Sequence, residues 1–236
     1  MTPRIIEGAA CLLLLAACSG ETEVFAEDAP EAAAPGMTTG MAALESDAPA
    51  GEYALDKAHA SLVFTVSHLG LSDYTARFTR WDATLKFDPD NPETMQVRAE
   101  IDPRSLETHY PGDDVDFNAM ITGEDWLDAG TFPQIVFQST AIDRTGPASA
   151  AVTGDLTLHG VTRPVALTID FNGGYAGNAM DPAGSRIGFS ARGALQRSDF
   201  GVDFSIPEPG SSMGVGDRVT FGIEAEFTRP DADGEG

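Results

Sequence analysis

Downstream of residue 50, apolar and polar positions alternate again and again, as in strands with one buried face. The clearest instance runs from Asp155 to Ile169. Leu156 and Leu158 alternate with Asp155, Thr157 and His159, with Val152 and Gly154 in phase before them. Val165, Leu167 and Ile169 alternate with Ala166, Thr168 and Asp170, and Phe171 continues the run. Gly160 sits between the two arms, where a tight link calls for positive φ. Pro164 has no N–H for a ladder bond, so it is expected where the second strand begins or at a bulge.

The same rhythm predicts further strands. Leu62, Phe64 and Val66 alternate with Ser61, Thr65 and Ser67, with Val63 an exception and His68 in phase near the strand end. From Asp73 to Phe87 the apolar positions are Tyr74, Ala76 and Phe78, then Trp81, Ala83, Leu85 and Phe87. Their parity changes between Phe78 and Trp81, which predicts a bulge near Thr79-Arg80. Val97, Ala99 and Ile101 form another strand, and Ile135 and Phe137 start the next between Gln134 and Gln138. Ile187, Phe189, Ala191 and Leu195 follow the loop 173–184; Val219, Phe221, Ile223, Ala225 and Phe227 follow the loop 207–216. The stretch 103–130 breaks the rhythm. Asp113-Asp114 predicts a helix start, because acids favour the first turn. Phe117, Met120 and Ile121 then fall at i, i+3 and i+4, and Trp126 and Leu127 extend the segment past Gly123. It reads as a helical cap, either a plug or a mobile lid. The sum is an all-β fold, an antiparallel barrel of about eight strands with a short helical cap segment, wide enough for one small ligand or a filled core.

The inward parity collects Phe64, Val66, Phe78, Val97, Ile135 and Phe137 from the first half of the barrel. Leu156, Leu158, Leu167, Ile169, Phe189, Phe221 and Ile223 complete it from the second half. Such an interior needs either its own packing or an apolar guest. A chain-like ligand hiding about 400 Å² of apolar surface would gain about 10 kcal/mol at about 25 cal/mol/Å². Ordering the ligand and losing its translational freedom takes back a large share.

The first fifty residues are different. Residues 1–17 carry Arg4 and then the apolar run Ala9 to Ala17, too short to span a bilayer. Leu15-Ala16-Ala17-Cys18 resembles a bacterial lipobox, which implies cleavage before Cys18 and lipidation of its sulfur. Ser19 stands where an Asp would signal inner-membrane retention, so the resemblance implies an outer-membrane lipoprotein facing the periplasm. The plainer alternative is an ordinary secretory signal and a secreted protein. Residues 18–50 are rich in Ala, Pro, Gly, Thr and acid, and read as a disordered tether. The folded domain then spans 51–229, with a frayed acidic tail over 230–236.

Composition narrows the chemistry. Over 236 residues the formal charge is −23, which argues against nucleic acid and against an electrostatic hold on anionic lipid. The two cysteines both precede residue 20, so the domain has no disulfide framework. His59, His68, His109 and His159 show no metal-ligand spacing. No G-x-S-x-G elbow marks a nucleophile, and no Gly-rich loop precedes a helix to hold phosphate. His159 lies beside a turn on the polar parity and reads as a surface group. His68 and Arg197 are candidate head-group contacts, His68 by pointing inward near a rim. The first role of Arg197 is a pair with Asp199 that holds a loop. No catalytic residue and no metal site is assigned. A hydrolase or isomerase acting on a lipid-like substrate is the alternative, and it would depend on His68. An integral outer-membrane barrel, with the apolar face turned to lipid, is a third reading.

Three separated motifs carry a family resemblance. They are Phe132-Pro133-Gln134-Ile135-Val136-Phe137-Gln138-Ser139-Thr140, Leu156 through Val165, and Arg197-Ser198-Asp199-Phe200-Gly201. Together with Leu55-Asp56, His59, Phe64 and His68 they resemble the YceI family over roughly residues 52–228. The resemblance implies a lipocalin-like barrel, a periplasmic or secreted location, and an apolar lipid partner. That partner would be a bound isoprenoid quinone or polyprenyl lipid, with no other cofactor required; a homodimer is compatible with it. One departure matters. The family's cap often carries Arg-Asp and His-Leu pairs, whereas Asp113 to Ile121 here has no basic residue. That favours a neutral head group over a phosphate.

Overall fold

The structure is a computed structural model that describes residues 43–181 and 184–229. The leader 1–17, Cys18, the tether up to residue 42 and the tail 230–236 lie outside the described residues. Ten strands are present among the described residues. They are β1 (Gly51–His68), β2 (Ser72–Phe78), β3 (Trp81–Phe87), β4 (Gln96–Ile101), β5 (Leu106–Glu107), β6 (Ile135–Gly146), β7 (Ser149–Leu158), β8 (Val161–Tyr175), β9 (Ser185–Gln196) and β10 (Val215–Arg229). A short helix α1 (Phe117–Thr122) lies between β5 and β6.

All pairings are antiparallel, in the order β10-β9-β8-β7-β6-β4-β3-β1-β2-β5, and β10 pairs back onto β1 to close the barrel. The ring itself has eight members, because β1 is long enough to pair twice on one side. Gly51 to Ala54 pair with β3, and Leu62 to His68 pair with β2. β2 and β3 are therefore one bent wall strand, and β4 and β5 another.

The bend occurs where the parity changes. Thr79 and Arg80 leave the strand, and the neighbouring wall breaks beside them at a tight turn over Pro103–Ser105. The Thr79 N–H donates to the Ser105 carbonyl (3.1 Å) and the Asp102 N–H to the Arg80 carbonyl (3.0 Å). The predicted bulge is thus a coupled break in two adjacent strands, which keeps both Phe78 and Trp81 on the inner face.

The β7–β8 hairpin turns through His159 (φ 50°) and Gly160 (φ 73°), both left-handed as a two-residue turn between twisted strands requires. A Cβ on Gly160 would also lie 2.5 Å from Phe132 Cε1. Pro164 departs from expectation, since it is the fourth residue of β8 and sits at no bulge. Counting from the Leu158–Val161 pair beside the turn, Pro164 opposite Asp155 occupies a site that makes no ladder bond to β7. The β8–β9 ladder begins only at Leu167, so the missing N–H leaves no strand unpaired.

Three further expectations are corrected. The helix starts at Phe117, not near Asp113-Asp114, because Asp116 is the residue that caps it, accepting from the Ala119 N–H at 2.9 Å. Residues 43–50, read as tether, are packed: Leu44 and Ala48 are buried and the Leu44 N–H donates to the Pro89 carbonyl (2.9 Å). The outward positions of the wall carry exposed Asp82, Lys86, Arg98 and Glu224 while the apolar parity faces inward. That arrangement is the inverse of a lipid-facing barrel and removes the integral-membrane reading.

Candidate functional site

One apolar cavity of about 850 Å³ occupies the barrel interior, near the upper end of the size range of ligand pockets. It follows from the period-two pattern: each strand turns every second side chain inward, and a closed ring leaves those side chains facing one another. All thirteen positions assigned to the interior line it: Phe64, Val66, Phe78, Val97, Ile135, Phe137, Leu156, Leu158, Leu167, Ile169, Phe189, Phe221 and Ile223. Phe64 stacks on Phe78 with centroids 5.4 Å apart. Two glycines make room for the aromatic lining. A Cβ on Gly193 would fall 2.5 Å from Phe221 Cζ, and one on Gly154 would strike the ring of Phe137.

The cavity reaches both ends of the barrel. At the end where the chain enters, Leu44, Met95, Ala148 and Ser149 line it. At the other end it meets the cap, through Tyr110, Phe117, Met120, Trp126 and Leu127. Leu44 had no sequence signal, since it lies in an Ala- and acid-rich stretch. Tyr74 and Trp81 carried one, the alternation of β2 and β3, but their polar atoms made them less obvious lining residues.

Polar side chains cluster at the cap end. The Tyr74 hydroxyl donates to the Thr108 carbonyl (2.9 Å), and the Thr108 hydroxyl donates to Asn118 Oδ1 (2.6 Å). His68 is exposed at the rim and in the cavity lining, and its ring makes no hydrogen bond among the described residues.

Arg197 also borders the cavity, yet it is only 4 % exposed. Its expected partner Asp199 is not the one it uses. Nε donates to the Gly216 carbonyl (3.0 Å), Nη1 to Val202 (2.8 Å) and Nη2 to Val215 (2.8 Å), while the guanidinium lies 5.3 Å from the Trp126 ring centroid. Three carbonyls of the 201–216 segment converge on one fork, so Arg197 does hold a loop, through backbone acceptors instead of a carboxylate. Burial lowers its pKa, opposed by Asp217 and Asp203. His159 is half-buried outside the barrel: its ring packs edge-on against Phe132 at 4.6 Å, and Nδ1 lies 3.2 Å from the Phe200 carbonyl.

Two further clusters of charged side chains lie outside the cavity. An outer groove holds Lys57, Arg77, Arg80 and Arg104, but each cation faces a carboxylate: Asp82, Glu107, or Asp102 for the last two. Asp56, His59 and Glu226 place three ligand atoms within 4.8 Å of one another. Arg186 Nη1 donates to both carboxylates, so a guanidinium already supplies the positive charge there. His59 first and then Arg186 hold the Asp56 carboxyl down at about 2.

The chain was also compared with known proteins. The model of a family described as the YceI-like domain matches residues 53–227. A protein of Pseudomonas savastanoi pv. phaseolicola designated UPF0312 is 39% identical over 170 residues, 70% of this chain and 84% of its own. Among solved structures, Burkholderia cenocepacia BcnA superposes with a TM-score of 0.60 at 26% identity, covering 73% of this chain and 98% of its own. A Saccharophagus degradans domain described as polyisoprenoid-binding shares the fold, with a TM-score of 0.54 at 13% identity over 77% of this chain and 100% of its own.

Proposed function

The chain belongs to the YceI-like domain family, and from that premise we propose that its barrel holds or carries a polyisoprenoid lipid. The observation that carries this is the apolar cavity of about 850 Å³ running between the barrel ends. At roughly 20 Å³ per carbon atom and a packing density of about 0.75, such a volume takes about thirty carbons, or about six isoprene units. The S. degradans domain described as polyisoprenoid-binding supports the choice of chain.

The head group sits at the cap end. Residues 108–134 contain no Lys or Arg, and the Arg197 fork is spent on three carbonyls. A neutral acceptor such as a quinone carbonyl fits better than a phosphate, with the uncommitted ring of His68 as its donor. The same features weigh against a hydrolase or isomerase, because Tyr74, Thr108 and Arg197 at the cap end already spend their donors on Thr108, Asn118 and backbone carbonyls. The role is binding, with Cys18 lipidated and the barrel held in the periplasm at the outer membrane.

Intact-mass and solvent-extraction mass spectrometry of the full chain purified from its membrane fraction tests both statements. A prenyl quinone in the extract and acyl mass on the chain, lost in Cys18→Ser, are expected. An extract repeatedly free of lipid, with no uptake of added prenyl quinone, would refute the binding role.

A further inference from the structure

Seven large apolar side chains are exposed among the described residues, and six of them sit on the cap end: Leu71, Tyr110, Val115, Met120, Phe204 and Met213. Leu71 is 84 % exposed and Met213 74 %. These two occupy neighbouring loop tips. The Leu69 N–H donates to the Gly214 carbonyl (2.8 Å), and the Cβ position of Gly70 lies 2.8 Å from Ser212 Cβ. Phe204 joins them through the same loop, since the Val215 N–H donates to the Ser205 carbonyl, and its ring meets Trp126 at 5.3 Å. Met120 and Tyr110 belong to the cavity lining as well. The exposed apolar tips are therefore continuous with the cavity mouth.

We propose that this apolar rim docks the barrel mouth onto the surface of a zwitterionic lipid bilayer, so that the ligand passes between membrane and cavity without crossing water. The proposal rests on the lipid-carrying reading for its purpose and on the rim for its geometry. Continuity with the cavity is the first argument for a bilayer as occupant. A second copy seated on the mouth would seal the opening that the ligand must use.

Charge is the second argument. The loops 69–73, 108–134 and 201–214 hold nine Asp and Glu, namely one, six and two, and no Lys or Arg. Two such faces brought head to head would repel, and an anionic membrane would repel one of them. A surface of zero net charge accepts the apolar tips with no such opposition.

The test uses the chain from Gly40 onward, a compact unit without the leader or Cys18, and its Leu71→Ser/Met213→Ser variant. Both residues lie outside the cavity lining, so equilibrium uptake of a prenyl quinone from detergent should be unchanged. Co-sedimentation with phosphatidylcholine vesicles should fall about tenfold in the variant, in step with a slower loading rate from quinone-doped vesicles. Adding phosphatidylglycerol should weaken binding of the parent. Vesicle binding that is absent in the parent, or equal in parent and variant, overturns the proposal. So does sedimentation velocity that finds a parent dimer dissolved by the substitutions, with no vesicle binding. The two readings fail separately: lost uptake from detergent with vesicle binding intact refutes the carrier role and leaves the docking surface. Intact uptake without vesicle binding refutes the docking surface alone.

Discussion

The cavity borders both ends of the barrel, but the two ends are closed differently: where the chain enters, by a fully buried cluster, and at the cap, by side chains that stay partly exposed. At the entering end Tyr53, Leu55, Leu85, Phe87, Ile187 and Phe227 form one buried cluster, which Leu44 and Ala48 of the preceding segment join. Tyr53 and Phe87 meet edge to face at 5.6 Å, and Phe87 is 1 % exposed. At the cap end α1 buries no residue, and Phe64 and Val66 of the same β1 strand are only partly buried. One continuous sheet, buried along both halves of its inner face, is thus closed at one end by packed side chains and at the other by a partly exposed cap and a rim of apolar tips among acidic residues. The difference suits the proposed role: one end holds the ring closed, and the other offers the more exposed mouth through which a guest would pass.

The largest expected effect tests that division directly. Phe87→Ala removes a fully buried ring and should cost about 3–5 kcal/mol in urea unfolding, with the slope unchanged. Phe117→Ala in the cap, which forfeits ring contacts with Tyr74 and Tyr110, should cost only about 1 kcal/mol. Equal costs would break the comparison. Arg197 comes next, because it is the buried anchor of the open end. Arg197→Met leaves the carbonyls of Val202, Val215 and Gly216 without their donor and should cost about 3 kcal/mol in the same measurement. Arg197→Lys keeps the charge but cannot reach three carbonyls with one ammonium, and should recover little of the loss. Full recovery by Lys would mean that charge, not the planar fork, holds the loop.

Alternation made the cavity wall legible because burial on one face of a strand leaves a mark at every second residue, and Leu156, Leu158 and Leu167 carried it plainly. Even the β2–β3 break showed, as a parity slip between Phe78 and Trp81. What stayed hidden had no local signature. The acceptors of Arg197 are backbone carbonyls 5, 18 and 19 residues away, and any residue type offers a carbonyl, so Asp199 looked like the natural partner. Leu44 and Ala48 are isolated small or apolar positions in an Ala/Pro/acid stretch; only the closed barrel supplies the hollow that buries them. The sequence pattern misplaces the helix start to Asp113-Asp114 because Asp113, Asp114 and Asp116 all suit a first turn, and only the start at Phe117 singles out the one whose carboxylate reaches the Ala119 N–H.

A smaller effect than the loss of Phe87 or Arg197 separates the two ends by their response to acid. At the entering end the outer wall is tied by Arg186 of β9, which reaches Asp56 of β1, Glu226 of β10 and Asp181 of the preceding β8–β9 loop, with His59 on Asp56 and the Tyr175 hydroxyl on Asp181. Asp56 is held down at about 2 against an ordinary value of 3.8. A depressed carboxylate stabilises the fold above its unfolded pKa, and that contribution is lost as pH falls through the folded value. Between about pH 4 and pH 2 the entering end should therefore lose about 2 kcal/mol from Asp56. His59 acts in the opposite sense: its raised pKa, set first by the bond to Asp56, makes its contribution complete at low pH and fading as pH rises through that value. The Arg197 anchor donates to carbonyls, which do not titrate in this range. Hydrogen exchange at pH 5 and pH 2.5 should then show amides of residues 185–188 and 224–229 losing protection before those of 197–202 and 215–216. Asp56→Asn should flatten that difference. Equal loss at both ends in the parent would show that acid opens the barrel as a whole, and that the two ends differ in packing but not in how they are held.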